Sequence, residues 1–376
     1  MTVYRLITLR PPDPQGSGDS RRAQSIVRAL EGAGHTVVLA PILAPGQTLF
    51  SSLLRPTALM HLIWVLLRYG FTRPLQWVAV QALVPGNPSG ELSPHQTAFY
   101  VTSRVAPPEP PAGFVIDFVD SLAANARGRS HRGPGVSAFW RREARLLERW
   151  ERELAAKSML ATAVSETECA TIAPNVAAVP LEIGPRLRPS PEAEARGYQS
   201  QDPTVLFAGN LYYHPNAEAA RWVLEVLTPA LVSRGWRREQ VVLAGRRPGR
   251  ALAAMAERAG ATLLADVPDL QNVIEGASVC LAPLLLGSGI QFKVLDALQA
   301  GVPVAMSAQA NRGIGLSDSD MVRVVERKAE PFCDAIDILL TRRNRVVPAD
   351  VHSLLASASP AAVQHRWRSL TDAAGR

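Results

Sequence analysis

The hydrophobic positions of the first forty residues follow a strand, helix and strand pattern. Val3–Leu9 is apolar enough for a buried strand, and after a turn-rich loop Ile26, Val27 and Leu30 recur at helical spacing. GAGH then breaks the chain before a second apolar strand at Thr36–Ala40. Strands that alternate with helices in this order favour a parallel sheet covered by helices.

The middle of the chain continues the series and then loses it. The proline-rich stretch Ala106–Gly113 leads into the strand FVIDFVD, and Ser137–Lys157 carries Trp and Leu side chains at helical spacing opposite an arginine-rich face. MLATAV follows as a strand. From about Pro174 to Asp202 prolines and polar residues dominate, which is typical of a linker between domains.

A second alternating series begins at Thr204. Its strands are TVLFAG, QVVLAG, ATLLA, SVCLAP and VPVAM, and the helices between them are predicted at Pro215–Ser233, Gly249–Ala259, Asp269–Glu275 and Ile290–Ala300. Short βα units of this kind predict a second Rossmann-like domain. We therefore expect an α/β protein with an N-terminal domain at 1–185, a linker at 186–203, a C-terminal domain at 204–358 and a last helix at 359–376.

Composition narrows the classes of protein to which the chain can belong. Its 376 residues, 47% of them hydrophobic and 19% charged, suit a folded protein of two domains. The net charge is +7, but no basic block with interleaved aromatic residues and no zinc-finger spacing occurs, so we expect no nucleic-acid partner. Cys169, Cys280 and Cys333 are odd in number and far apart, which favours a reducing compartment over a disulfide framework.

The most apolar segment is Leu53–Val80. His61, Arg68 and Arg73 interrupt it, so it is too short and too charged to span a bilayer, and we expect a buried or surface helix. Peripheral contact with the membrane interface is the alternative, since Trp64, Arg68 and Tyr69 suit that layer. The first residues lack the long apolar run of a signal peptide. We expect a cytoplasmic protein, free or at the inner face of the membrane.

The stretch Ala282–Ser307 carries the pattern that indicates chemistry. An apolar strand ends at Pro283, and a loop of small residues leads into a helix that begins near Ile290. Small residues let a ligand approach the backbone, and the unpaired N–H groups at the positive end of a helix dipole suit a diphosphate. Lys293 adds a positive charge one turn into the helix. Asp296, one turn further, can accept hydrogen bonds from vicinal ribose hydroxyls.

This run, GSGIQFKVLDALQAGVPV, resembles the donor-site signature of family 4 glycosyltransferases of the GT-B fold. It is most similar to the subgroup often found with exopolysaccharide clusters, whose pattern is about GIQNKVLEAMAMGxPVV. Asp296 stands where that family has its glutamate, whereas Ser288 departs from a second glutamate of the broader family. VLFAGNLYYHPN, VVLAGRRP and ADVPDLQNVIEGASVCLAPL resemble further parts of the donor domain. The likeness is strongest from Thr204 to Gly315. The matching positions are Gly289, Ile290, Gln291, Lys293, Val294, Leu295, Ala300, Gly301, Pro303 and Val304.

The resemblance implies two Rossmann-like domains that face a central cleft, with the last helix returning to the N-terminal domain. It also implies that the glycine loop holds a pyrophosphate, Asp296 a ribose, and backbone groups near Val267 and Pro268 the base. The broader family has basic residues where this chain has Asn210 and His214, which moves the neutralisation of phosphate to other cations. The predicted donor-binding set is Gly209, Asn210, His214, Arg246, Arg247, Val267, Pro268, Gly287, Ser288, Gly289, Ile290, Gln291, Lys293 and Asp296.

The N-terminal half holds the candidates for the acceptor side. RPPDPQGSGDSRR resembles the family's acceptor-side glycine loop, which implies that Gly16, Ser17 and Gly18 touch the donor phosphate or the acceptor. Asp19 and Arg21 can equally be a helix cap and a solvated first turn.

Four residues are predicted to be catalytic. Asp117 and Asp120 lie at the end of a strand, where a carboxylate can orient or deprotonate an acceptor, although a helix cap or a loop hydrogen bond is the alternative for each. Many family members use a histidine in this domain, and His131 is the nearest candidate. Lys293 can stabilise the charge on the leaving diphosphate.

The predicted function is a glycosyltransferase that moves a hexose-type sugar from a nucleotide-sugar donor to a glycan, lipid-linked or natural-product acceptor. The resemblance implies retention of anomeric configuration and no metal or other cofactor besides the nucleotide-sugar co-substrate. A non-catalytic nucleotide-sugar-binding partner and a GT-B nucleotide-sugar epimerase are the alternatives. A dinucleotide-dependent dehydrogenase is disfavoured, because no G-x-G-x-x-G follows the first strand.

Overall fold

The chain forms two compact units in a computed structural model. Unit 1 comprises Met1–Glu182 with Pro360–Arg376, and unit 2 comprises Ile183–Ser359. The structure describes residues 2–13, 18–69, 72–83, 93, 95–129, 134–183, 202–286, 290–341 and 347–374. Most of the predicted linker at 186–203 lies outside these ranges.

Unit 1 is built on a six-stranded sheet in which all pairings are parallel. Its order is β2-β1-β3-β4-β5-β6, and the register pairs Val3 with Thr36 and Ile7 with Tyr100. The strands are β1 (Val3–Thr8), β2 (Thr36–Pro41), β3 (Gln96–Val101), β4 (Val115–Asp117), β5 (Leu160–Ala163) and β6 (Val176–Ala178).

Helices cover this sheet and bury the apolar stripes that the sequence carries. Ile26 and Leu30 of the first helix are fully buried, as are Trp77, Trp150 and Leu154 in the other core cluster. The helices are α1 (Gly18–Gly32), α2 (Leu49–Leu53), α3 (Pro56–Tyr69), α4 (Leu75–Gln81), α5 (Leu122–Gly128), α6 (Pro134–Lys157) and α7 (Glu166–Ile172).

Unit 2 also has a six-stranded parallel sheet, in the order β12-β11-β10-β7-β8-β9. Its strands are β7 (Val205–Ala208), β8 (Val241–Gly245), β9 (Thr262–Ala265), β10 (Val279–Ala282), β11 (Val304–Ser307) and β12 (Val322–Val325). Its helices are α8 (His214–Trp222), α9 (Thr228–Ser233), α10 (Arg250–Ala259), α11 (Leu270–Glu275), α12 (Phe292–Gln299), α13 (Ala308–Asn311), α14 (Ala329–Thr341) and α15 (Ala349–Ser357).

The last helix, α16 (Pro360–Ala374), belongs to unit 1. It packs beside α1, and its fully buried Trp367 lies against Phe99 of β3 with ring centroids 5.6 Å apart. The aromatic and apolar positions of PAAVQHRWRSL thus complete the core of unit 1 from the far end of the chain.

Several elements differ from the sequence prediction, which included neither β3 nor β12. Strand β6 lies at the start of the stretch predicted as linker, because Val176 finds a place beside Ala161 despite its proline neighbours. Strand β4 ends at Asp117, well before the predicted end of FVIDFVD, since Val119 adopts a left-handed φ of 63° that a strand cannot accommodate. The predicted helix Pro215–Ser233 contains a π-helical turn at Val223–Leu227, because Pro229 cannot continue the regular hydrogen-bond ladder.

Candidate functional site

The strand order of unit 2 places a ligand position at its centre. The chain runs outwards from β7 to β9, then returns to β10 on the other side of β7, so β7 and β10 flank the point at which the order reverses. In open α/β sheets, ligands bind beyond the carboxyl ends of the two strands at this switch point. The segments that follow β7 and β10 carry most of the predicted donor residues.

Lys293 connects the two sides of this switch point. It lies in the first turn of α12, after β10, and its Nζ donates a 2.6 Å hydrogen bond to Oδ1 of Asn216 in α8, after β7. The ammonium also lies 4.5 Å from the ring centroid of Phe207. The amide of Asn216 is held in turn, because its Nδ2 donates to the carbonyl oxygen of Asn210 at 3.1 Å.

The charge of Lys293 has no ionic partner in the part of the chain that the structure describes. Its neighbours there are a neutral amide and an aromatic ring. Burial of the amine lowers the pKa of Lys293 to about 7. A lysine that is partly discharged and points at a ligand position can recover its full charge when an anion binds there.

Two glycines bring the loops after β7 and β8 into direct contact. Gly209 and Gly245 have φ values of 154° and 157°, and a Cβ on Gly245 would lie 1.7 Å from the carbonyl oxygen of Gly209. The Leu211 amide donates to the carbonyl oxygen of Arg246 at 2.9 Å. Only glycine permits this approach, which fixes the backbone at the edge of the switch point.

The two predicted arginines lie directly after β8. Both side chains are exposed, and the guanidinium of Arg247 lies 4.5 Å from the ring centroid of Tyr212. The backbone of Arg247 is left-handed, with φ at 54°, and its N–H donates to Oδ1 of Asp266 at 2.8 Å. Arg247 is therefore held at the rim by a stacked ring and a carboxylate, while Arg246 extends towards solvent.

Some of the remaining donor candidates belong to the described residues and others do not. Ile290, Gln291 and Asp296 are partly exposed around the start of α12, as is Val267 after β9, and Pro268 and His214 are exposed. The predicted phosphate loop, Gly287, Ser288 and Gly289, lies outside the described residues.

Asp117 in unit 1 is buried and fully hydrogen-bonded. Its carboxylate is fully buried, and Oδ1 accepts from Arg22 Nε at 3.2 Å and from the Val119 amide at 3.1 Å. Oδ2 accepts from Arg22 Nη2 at 2.7 Å and from Thr162 Oγ1 at 2.6 Å. These four bonds use the four acceptor positions of a carboxylate. The geometry therefore speaks against the predicted catalytic role, and Asp117 ties α1 to strands β4 and β5.

Asp120, three residues later, differs from Asp117 because it is partly exposed. The following amides fix the turn: Ser121 donates to Glu168 at 2.6 Å, and Leu122 donates to Glu151 at 2.7 Å. Asn125 Nδ2 donates to Asp120 Oδ2 at 2.8 Å. Desolvation of the carboxylate by the surrounding protein raises the pKa of Asp120 above its ordinary value, although the hydrogen bond from Asn125 lowers it. A carboxyl group with a raised pKa at the end of a strand suits proton transfer.

Only some of the other acceptor-side candidates belong to the described residues. Gly18 is the first residue of α1, and Asp19 pairs with Arg10 at 3.1 Å. Gly16, Ser17 and His131 lie outside the described residues.

Sequence reasoning missed Asn216 and Arg104. Asn216 holds Lys293, and the HPN triplet at the start of the predicted helix was a signal for it, since an amide in a first helical turn faces the strand ends. Arg104 follows β3, at a strand end in unit 1 that the sequence pattern did not reveal. Among the described residues, no cluster of three or more His, Cys, Asp or Glu side chains is arranged to hold a metal ion.

The chain is similar to known glycosyltransferases in part of its sequence and in its fold. The structure of a sucrose-phosphate synthase from Thermosynechococcus elongatus matches with a TM-score of 0.67 and 14% identity, over 99% of this chain and 98% of that one. The structure of WaaG, a glycosyltransferase involved in lipopolysaccharide biosynthesis, matches with a TM-score of 0.61 and 14% identity, over 97% of this chain and 98% of that one. The structure of HepE from Anabaena in complex with UDP matches with a TM-score of 0.61 and 11% identity, over 99% of this chain and 100% of that one.

Comparison with curated protein sequences gives no match. The family described as glycosyl transferases group 1 matches residues 202–342, which include every described donor candidate. This match supports a glycosyltransferase, and the two parallel six-stranded sheets together with the structural neighbours show that the chain has the GT-B fold.

Proposed function

We propose that the chain transfers a hexose-type sugar from a nucleotide diphosphate donor to a glycan, lipid-linked or natural-product acceptor. The observation that carries this proposal is the hydrogen bond between Lys293 and Asn216 across the switch point of unit 2. It holds a cation without an ionic partner among the described residues at the position where an open α/β sheet binds its ligand.

The chemistry of sugar transfer requires such a cation. When the bond from the anomeric carbon to the diphosphate breaks, negative charge develops on the leaving phosphate oxygens. A positioned ammonium stabilises that charge most effectively where little water competes for it. Lys293 supplies the ammonium, and Asn216 and Phe207 hold it in place. The N-terminus of α12 adds its dipole on the same side.

Other residues of unit 2 fit the remaining parts of a nucleotide sugar. Asp296, one turn beyond Lys293, is assigned to the ribose hydroxyls, and the backbone near Val267 and Pro268 is assigned to the base. Arg246 and its neighbour at the rim supply further positive charge. The structural neighbour HepE has been observed with UDP and with UDP and glucose, which supports a nucleotide sugar as the class of donor.

Asp120 is the acceptor-side candidate that the geometry favours. Its raised pKa and its partial exposure allow it to accept a proton from an acceptor hydroxyl, whereas the carboxylate of Asp117 is already saturated. Retention of configuration and independence from metal ions remain part of the proposal, as the family resemblance implies.

The test is a panel of nucleotide sugars, measured for binding and for turnover with the wild-type protein and with the Lys293→Ala and Asp296→Ala variants. We expect one donor to bind selectively and both substitutions to weaken it at least tenfold, as for charged hydrogen bonds. Lys328→Ala is the matched control, since this lysine is exposed. A folded protein that binds none of the nucleotide sugars contradicts the proposal. Binding without turnover favours the non-catalytic partner, and isomerised nucleotide sugar favours the epimerase.

The surface of α3 supports a contact with membranes as part of this function. Five large apolar side chains lie on one face and are half to four-fifths exposed: Leu59 53%, Met60 69%, Ile63 50%, Trp64 58% and Leu67 82%. Exposed apolar patches of this kind mark interaction surfaces. No described helix is long and apolar enough to cross a bilayer.

Charge favours an anionic lipid surface as the partner of α3. No Asp or Glu occurs anywhere from residue 32 to residue 90, while exposed Arg55 and Arg68 flank the apolar face. We expect the protein to sediment with phosphatidylglycerol-containing vesicles, less with pure phosphatidylcholine, and to lose most binding in a Trp64→Gln/Leu67→Gln variant. Ile338→Gln on α14 is the control. Equal sedimentation of both variants contradicts the assignment.

A further inference from the structure

Unit 1 has a switch point of its own. In the order β2-β1-β3-β4-β5-β6, the chain places β2 on one side of β1 and all later strands on the other, so the order reverses between β1 and β3. Thr8 is the last residue of β1, and Ser103 and Arg104 follow closely after β3. These three residues come from the two strand ends that flank the switch point, where open α/β sheets bind their ligands.

All three residues have a buried side-chain polar atom without a hydrogen-bond partner among the described residues. The atoms are Thr8 Oγ1, Ser103 Oγ and Arg104 Nε. Thr8 and Ser103 are 2% and 1% exposed, so bulk water does not surround them. Buried polar groups in folded proteins are nearly always paired, and each exception calls for a reason. Unpaired atoms from both strands of a switch point indicate groups that a ligand completes.

The loop after β3 is held rigidly, so these side chains are not left unpaired by mobility. The indole nitrogen of Trp150 donates to the carbonyl oxygen of Ser103 at 2.9 Å, and that of Trp77 donates to the carbonyl oxygen of Ala106 at 2.9 Å. Thr102, at the start of the loop, is fixed in a left-handed conformation with φ at 76°. A strained and anchored backbone presents its side chains in one arrangement, which lowers the cost of binding a ligand.

The charge of Arg104 identifies the class of ligand. Many other arginines of unit 1 have carboxylate partners; Arg22, for example, pairs with Asp117 and Arg10 with Asp19. Arg104 forms no ion pair among the described residues and influences Asp120 only through its field. A guanidinium presents a planar fork that matches the oxygens of a phosphate or a carboxylate.

We propose that Arg104, together with Ser103 and Thr8, binds an anionic oxygen group of the acceptor, either a phosphate or a carboxylate. The identification of the ligand as the acceptor rests on the proposed glycosyltransferase function, whereas the anion site itself does not. The group would lie at the end of β3, one strand away from Asp120 at the end of β4. An anchor there positions an acceptor hydroxyl for proton transfer.

The test measures binding of glucose 6-phosphate, glucuronate and glucose to the full chain by calorimetry, with and without saturating UDP. We expect one of the two anionic sugars to bind at least tenfold more tightly than glucose, in line with a charge-assisted hydrogen bond. Arg104→Gln should abolish this preference, and Arg104→Lys should restore part of it. Arg152→Gln, on an exposed arginine of α6, is the matched control.

The outcomes separate the two proposals. Preference for the phosphate or for the carboxylate sugar names the anionic group. Equal binding of all three sugars by the wild-type protein overturns the anion site, as does an Arg104→Gln variant that keeps the preference. Failure of every nucleotide sugar of the panel to bind contradicts the donor assignment alone, because the dependence on Arg104 is also measured without a nucleotide.

Discussion

Replacement of Lys293 by methionine should make the protein more stable and at the same time remove donor binding. Methionine keeps the length of the side chain and its contact with Phe207, but it carries no charge. A structural lysine would give the opposite result, because its loss would remove a useful interaction. The variant therefore distinguishes a residue kept for its ligand from one kept for folding.

The magnitude follows from the pKa. Lys293 has a pKa of about 7 in the folded chain and an ordinary value of 10.5, so the folded protein disfavours its charge. At about 1.4 kcal/mol per pKa unit, the full cost would be about 5 kcal/mol. The side chain keeps some solvent and its bond to Asn216, so we expect a gain of about 1–3 kcal/mol for the methionine variant near pH 7.

The dependence on pH has a definite sign. Between about pH 7 and pH 10.5 the unfolded chain binds more protons at Lys293 than the folded chain does, so the stability of the wild-type protein rises across this window. The methionine variant lacks this rise, and its advantage disappears towards the upper end. UDP binding should show the matching linkage: the affinity of the wild-type protein should fall as pH rises above about 7, because the bound diphosphate requires the protonated amine.

Thermal unfolding across this pH range, together with calorimetric titration of UDP, measures both effects. Lys328→Met is the control, since Lys328 is 73% exposed and its ion pair with Glu326 lies at the surface. Its loss should leave both the stability and the affinity for UDP unchanged within the error of the two measurements. A Lys293→Met variant that melts below the wild-type protein at pH 7 and still binds UDP would refute the reasoning.

Three further predictions concern the glycine contact and the two aspartates. Gly245→Ala should lower the stability of the protein by about 2 kcal/mol or more and weaken the binding of UDP, because the new Cβ would meet the Gly209 carbonyl oxygen. Urea unfolding with and without UDP measures both effects. Asp117→Ala should cost about 3–5 kcal/mol by leaving Arg22 buried without its partner, measured in the same way. Asp120→Asn should reduce turnover about a hundredfold with donor affinity unchanged, and wild-type turnover should fall on acidification at a pH above the ordinary titration range of an aspartate, because the pKa of Asp120 is raised. A turnover profile that stays flat down to that ordinary range contradicts the role of Asp120.

The regular alternation of apolar runs and helical stripes predicted most of both sheets, because central strands such as β7, β10 and β11 are buried on both faces and are largely apolar. Two of the exceptions have local causes. Val176–Ala178 is too short and too close to prolines to stand out, and only the neighbouring strand β5 makes it a strand. The π-helical turn at Val223–Leu227 depends on how one proline is accommodated, which a periodic pattern cannot show.

The candidate site was predictable where one segment carries several groups and unpredictable where distant segments meet. Lys293 and Asp296 lie one turn apart on α12, so spacing alone placed them together. Asn216 is far from Lys293 in sequence and joins it only because β7 and β10 are neighbours in the sheet. Asp117 and Asp120 looked equivalent, since the sequence does not show that Arg22 and the strand beside β4 saturate the first of them.

Whether a buried charge already has a partner separates structural from functional groups in this protein. The ion pair of Arg22 and Asp117 is buried and complete on both oxygens, as a structural pair must be if its burial is not to destabilise the fold. Lys293 and Arg104 lie beside the switch points of their respective sheets, and among the described residues neither has an ionic partner. Folding gains little from either cation there, since burial disfavours the charge of Lys293 and Arg104 reaches the carboxylate of Asp120 only through its field. A ligand with negative charge would give each of them the partner that it lacks. Neutral replacements of Lys293 and Arg104 should therefore keep or raise the stability of the protein. If the Lys293 variant loses UDP binding and the Arg104 variant loses binding of the anionic sugar, the two cations serve binding and not folding.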